Sequence, residues 1–237
     1  MTSKKPLPKI QKPIFELELP SNGERIKYRT FTVKEEKILL IAQETNDIDQ
    51  SILSIRQVVN NCLIEKSVDE LSMFDLEYVL LTLRSKSVDN AVLFSIKDPD
   101  TEERIELELD LNDVKVTKNE FHSKEIRVTD EFVLYMRYPT INEFLDMMKA
   151  SQDDTNANFA IMISCMDKLV GNDEVYKFSE FTPAEIEAFA EDLDSSAVKK
   201  IKQFFETMPT LRHEMKYKNK NGDEKTFVIE GMQTFFI

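Results

Sequence analysis

Alternating runs and helical stripes divide the chain into blocks. Ile14-Phe15-Glu16-Leu17-Glu18-Leu19 alternates apolar and acidic residues, as a half-buried strand does. Pro20-Ser21-Asn22-Gly23-Glu24 reads as a turn, Asn-Gly being the strongest short hairpin signal, and residues 25–29 return as a second strand. Thr32-Val33-Lys34-Glu35 is a capping box, in which the Thr hydroxyl and the Glu carboxylate satisfy free amides at a helix start. A second helix follows Asp49, with Ile52, Ile55, Val59 and Leu63 on one face. Ser67-Val68-Asp69-Glu70 is another capping box and predicts a third helix, apolar on Leu71, Phe74, Tyr78 and Leu81 and again on Leu76, Leu80 and Leu83.

The middle of the chain changes period. Residues 91–97 and 104–109 read as strands around Asp98-Pro99-Asp100-Thr101, and shorter strands are expected at 114–116, 125–128 and 132–135. Helical spacing then returns. Thr140-Ile141-Asn142-Glu143 caps one helix, SQDDTN is a polar loop, and residues 158–169 are expected as a Met-rich helix. Thr182-Pro183-Ala184-Glu185 is a capping box with Pro at the first helical position, opening two helices over about 183–193 and 196–207. A second Asn-Gly hairpin, residues 212–217 and 225–230, closes the pattern.

These elements define an α+β fold: an N-terminal β-hairpin and helices, a small central antiparallel sheet, and C-terminal helices closed by a β-hairpin. The expected organisation is an extended basic arm over 1–13, a hairpin plus three-helix region over 14–90, a small β region over 91–138, and a helical region with a C-terminal hairpin over 139–237. No internal repeat at a fixed period is visible.

Composition narrows the function classes. The 237 residues include 31 Lys and Arg against 44 Asp and Glu, a net charge of −13. Residues 1–12 carry +4 and residues 195–237 carry +3, which leaves −20 on 13–194. An acidic body argues against nucleic acid as the main partner and suits charge-complementary assembly. With four glycines, no Gly-rich phosphate loop is present. No apolar run reaches membrane-spanning length. Cys62 and Cys165 sit in apolar helical patterns with no CxxC pair and read as reduced core thiols.

Candidate chemistry is sparse. Asp98, Asp100 and Glu102 stand at the first positions of a calcium loop, but the required Gly and bidentate Glu are replaced by Glu103 and Leu109, so an acidic turn is the better reading. His122 and His213 have no second ligand at metal spacing, and no nucleophile elbow occurs. No catalytic, cofactor or metal residue is assigned. Arg84-Ser85-Lys86-Ser87 is either favourable charge at a helix C-terminus or an anchor for an acidic partner. The Met cluster at 136, 147, 148, 162 and 166 fills a core or forms an adaptable surface. Phe235, Phe236 and Ile237 either return to the core or insert into a neighbour.

Two runs carry a resemblance. Phe15–Gly23, Tyr28-Arg29 and Phe31–Leu40, followed by Phe74–Tyr78 and Leu83–Val88, resemble a baseplate-hub family of T-even-type bacteriophages with contractile tails. The likeness is dense over about 14–90. It implies a non-enzymatic structural subunit of the tail baseplate hub, assembled in the bacterial host cytoplasm as part of a hetero-oligomer. Partners would be other baseplate-hub proteins and the tape-measure protein, with no nucleic acid and no membrane span. The alternative is a transient assembly chaperone for hub or tape-measure proteins, absent from the mature virion. A third class, a wall-degrading enzyme, would need a positioned carboxylate pair in a cleft, and nothing local marks one. Expected interface residues are Arg29, Lys34, Arg84, Lys86, Phe235, Phe236 and Ile237.

Overall fold

The computed structural model describes residues 10–44, 48–88, 90–149 and 155–231. The expected interface residues Phe235, Phe236 and Ile237, and most of the basic arm, lie outside these. The described residues form a mixed α+β fold of seven α-helices and small antiparallel sheets.

The chain opens with β1 (Ile14–Glu18) and β2 (Arg25–Arg29), paired so that Leu17 faces Ile26 and Glu16 faces Lys27. Leu17, Ile26 and Tyr28 are buried, while the charged partners stay in water. Gly23 supplies the positive φ of 74° that the tight turn requires. Helices α1 (Val33–Glu44) and α2 (Ile48–Cys62) follow, then β3 (Leu63–Ile64), which pairs with β2. The Ser67 capping box forms, but it opens only a 3₁₀ turn, Val68–Glu70. Helix α3 (Met73–Ser87) has its own cap in Ser72, whose hydroxyl accepts from the Asp75 amide. Two apolar faces bury α3 on two sides, as its Leu pattern requires.

Strands β4 (Ala91–Lys97) and β5 (Arg104–Asp110) make a two-stranded hairpin, and β6 (Lys115–Thr117) follows it. Strands β7 (Glu125–Arg127) and β8 (Phe132–Met136) form another hairpin. Helices α4 (Ile141–Lys149) and α5 (Thr155–Ser164) come next. Here the expected Met-rich helix over 158–169 is corrected. It ends at Ser164, and Met166–Gly171 is strand β9, paired with β8. Arg137 N–H donates to the Cys165 carbonyl at 2.8 Å, which turns the chain into the sheet. Strand β10 (Glu174–Lys177), helices α6 (Pro183–Glu191) and α7 (Ser195–Glu206), and the hairpin β11 (Thr210–Lys218) and β12 (Glu224–Glu230) complete the fold. The strands of the central segment serve three sheets: β4 with β5, β6 at the edge of β11, and β7 with β8, β9 and β10.

Laid end to end, these elements run twice through one order, with β6, β10 and α7 falling outside it. A hairpin (β1–β2, then β7–β8) leads to two helices (α1–α2, then α4–α5). A strand then returns beside the second strand of that hairpin (β3, then β9). A 3₁₀ turn follows, Val68–Glu70 and then Phe178–Glu180, and next a side-chain-capped helix. A second hairpin closes each unit, β4–β5 and then β11–β12. Details match as well. Arg29, Thr32, Glu35 and Cys62 in the first unit correspond to Arg137, Thr140, Glu143 and Cys165 in the second. Caps Ser72 and Thr182 also correspond. The spacing between matched residues drifts after the corner, because α4 and α5 are shorter than α1 and α2, and β9 and β10 then take more residues than β3. No fixed period therefore exists for the sequence to show.

Three hydrophobic clusters hold the units. One lies under α1, α2 and α3 around Val59, Leu76 and Leu80. Another lies between the two closing hairpins around Leu109, Leu211 and Ile229. The third packs β8 and β9 on α5, α6 and α7 around Leu134, Ile201 and Phe204. The second unit reaches into the first cluster through Ile141, which is fully buried and donates its N–H to the Leu71 carbonyl at 3.2 Å.

Candidate functional site

A groove of about 900 Å³ runs between the β1–β2 turn, the last turns of α3 and the approach to β6. Its position is set by Asp75, a buried carboxylate near the start of α3. Asp75 Oδ1 accepts from Ser21 N–H at 3.0 Å and Oδ2 from the Ser72 hydroxyl at 2.7 Å, which ties the hairpin turn to the helix. The floor is apolar, with Leu19, Leu81 and Leu111. Lys86, Lys115 and Lys118 line it, all exposed and without an ion-pair partner among the described residues. Three uncompensated cations on one groove stand out in a chain of net charge −13.

The expected interface residues fall in different settings. Lys86 lies in the groove. Arg84, in the same last turn of α3, is half-buried, and desolvation lowers its pKa. Lys34 is exposed on α1. Arg29 is turned inward, where its guanidinium donates to Glu35 Oε1 at 3.1 Å and to the Thr30 carbonyl at 3.0 Å. Glu35 also accepts from the Thr32 amide at 2.8 Å and from the Thr32 hydroxyl. Burial alone would raise the Glu35 pKa, but Arg29 and Thr32 together hold it down to about 2. The second unit repeats this corner. Arg137 forks onto Glu143 at 2.9 and 2.7 Å, and Glu143, half-buried where Glu35 is buried, is likewise held at about 2 by Arg137 and Thr140.

The buried thiols beside these corners are inert by environment. Desolvation pushes Cys62 and Cys165 up to about 11, against the opposing pull of Arg29 and Arg137. The acidic turn at Asp98 is a turn. Its buried carboxylate accepts from the amides of Asp100 and Thr101, the Thr101 hydroxyl and the Tyr217 hydroxyl, so its lone pairs are spent within the fold. His122 has Thr207 Oγ1 and Tyr138 Oη on its two ring nitrogens, each at 3.0 Å, and stacks on the rings of Tyr138 and Phe204. Burial, with Lys124 and Lys118 nearby, lowers its pKa. Among the described residues no group of three His, Cys, Asp or Glu is placed to hold a metal ion, and no helix is long and apolar enough to cross a membrane.

Lys115, Lys118 and the turn residues 19–23 were not expected as site residues. Their only sequence signal is isolated positive charge next to an acidic stretch, and the fold alone brings them opposite Lys86.

The described residues thus present a surface groove lined by Lys86, Lys115 and Lys118. The sequence model described as T4 bacteriophage base plate protein matches residues 12–237, and the chain belongs to that family. No curated protein and no solved structure matches it. Membership gives a structural phage baseplate protein of the virion tail, one that interacts with other phage baseplate proteins. Such a structural family is in general not enzymatic.

Proposed function

We propose that the chain is a subunit of the central hub of the baseplate, assembled in the host cytoplasm into a hetero-oligomer and retained in the finished particle. Its contacts would be with other hub proteins and the tape-measure protein. One observation carries this reading. Parts of the two runs that resemble the hub family, residues 18–23 of the first and Tyr78, Ser85 and Lys86 of the second, line one place, the lysine-lined groove, and Ser21 of the first is bonded to Asp75 of the second. Segments far apart in sequence thus build one surface, apolar at its floor and positively charged at its rim. That combination suits an acidic segment of a neighbouring subunit. Quantitative mass spectrometry of purified particles tests the assignment. A fixed, small number of copies per tail is expected. Presence in assembly intermediates but absence from finished particles would overturn it in favour of an assembly chaperone.

A further inference from the structure

Inside the chain the second unit docks on the first through a small junction. Thr140 and Ile141, at the start of α4, meet Leu71 and Ser72, just before α3, through an antiparallel bridge between Ser72 and Thr140 and the bond from Ile141 N–H to the Leu71 carbonyl. Because the chain is a repeat, both halves of this junction occur a second time. Thr32-Val33, at the start of α1, corresponds to Thr140-Ile141. Phe181-Thr182, just before α6, corresponds to Leu71-Ser72. The second pair is uncovered. Val33 is 79% and Phe181 40% exposed, against 0% for Ile141 and 1% for Leu71.

The surroundings of the two open halves complement each other. Beside Val33, α1 exposes Leu40 and Ile41 together with Lys34 and Lys37. Beside Phe181, the surface exposes Glu180, Glu187 and Glu191 around Ala184 and Ala188. None of these five charged side chains has an ion pair among the described residues. One face is apolar with cations, the other apolar with anions.

We propose that a second copy of this chain docks here, with the Val33 corner of one copy on the Phe181 corner of the next, repeating the internal junction between chains. The contact is heterologous, since different surfaces meet. It therefore propagates head to tail and closes into a ring where the rotation allows. The proposal does not depend on the hub assignment, because it concerns the isolated chain.

Sedimentation velocity and light scattering on the purified full chain test it. The wild type is expected to form species larger than a monomer, with mass rising with concentration. Val33→Glu and Phe181→Glu change exposed positions, so each is expected to keep the wild-type circular dichroism spectrum and to run as a monomer. Val33→Glu retains its Phe181 face and Phe181→Glu retains its Val33 face. An equimolar mixture is therefore expected to give a 1:1 dimer and nothing larger. A wild type that stays monomeric throughout, a single variant that assembles like wild type, or a mixture that remains monomeric would each overturn the proposal.

Discussion

Replacing Glu35 by Gln isolates one of the two ion-paired corners. Gln keeps an oxygen for the Thr32 amide and leaves Arg29, only 25% exposed at its side chain, without its counter-charge. Burial raises the Glu35 pKa and its partners lower it further, leaving it at about 2 against 4.5 for the free group. That gap corresponds to about 3 kcal/mol of stability at neutral pH. Because the folded value is the depressed one, this stability is fully present above the unfolded pKa and is lost as pH falls from about 4.5 towards 2. At about pH 3 roughly 1.4 kcal/mol remains. Urea denaturation of wild type and variant across this range is the assay. The variant should be less stable by about 3 kcal/mol at pH 7, and the difference should shrink steadily with acid. A difference that stays constant with pH, or one under about 0.5 kcal/mol at pH 7, would refute the account of the corner.

Other expectations follow from single contacts. Glu143→Gln should show the same pH-dependent loss as Glu35→Gln, since Glu143 is held at about 2 by the equivalent Arg and Thr. Ile141→Ala should cost about 2–5 kcal/mol and raise hydrogen exchange on both sides of the unit junction, because Ile141 is fully buried in the first unit's cluster. Gly171→Ala would place a methyl group 2.4 Å from the Glu131 carbonyl oxygen and from Phe132; a loss of about 1–3 kcal/mol, read from thermal melting, is expected. With both thiols buried and pushed up to about 11, a thiol reagent should label neither cysteine in the native chain and both in urea.

Local chemistry made much of the fold readable. Asn-Gly turns, the Thr182 cap with Pro183 behind it, and the alternation in residues 104–110 each specify their element from a few neighbouring residues. The strand at Met166–Gly171 was hidden because its apolar residues continue the helical stripe of α5. Pairing with β8 and β10 separates the two. The Ser67 box looked like the start of α3, yet the extended backbone of Leu71 and Ser72 interrupts the helix there, and Ser72 caps it anew.

The site was less legible for the same reason. Lys86 could be singled out on a helix end, but its partners in the groove depend on long-range contacts such as Asp75 with Ser21. Arg29 showed its charge in the sequence and not its inward direction, which Glu35 sets. The repeat is faint in the sequence because its matched residues are few: an Arg, a Thr and a Glu at each corner, equally spaced in both units, and a Cys at the end of the second helix whose offset has shifted. They are held alike by geometry, with most of the surrounding apolar residues exchanged.

The most direct test of the central claim is a cryo-electron microscopy map of purified baseplates at a resolution that shows side chains. The account predicts density for the two-unit fold at the central hub, with a neighbouring subunit seated in the groove beside Lys86, Lys115 and Lys118. Density for the chain in the peripheral part of the baseplate, or a central hub complete without it, would contradict the account.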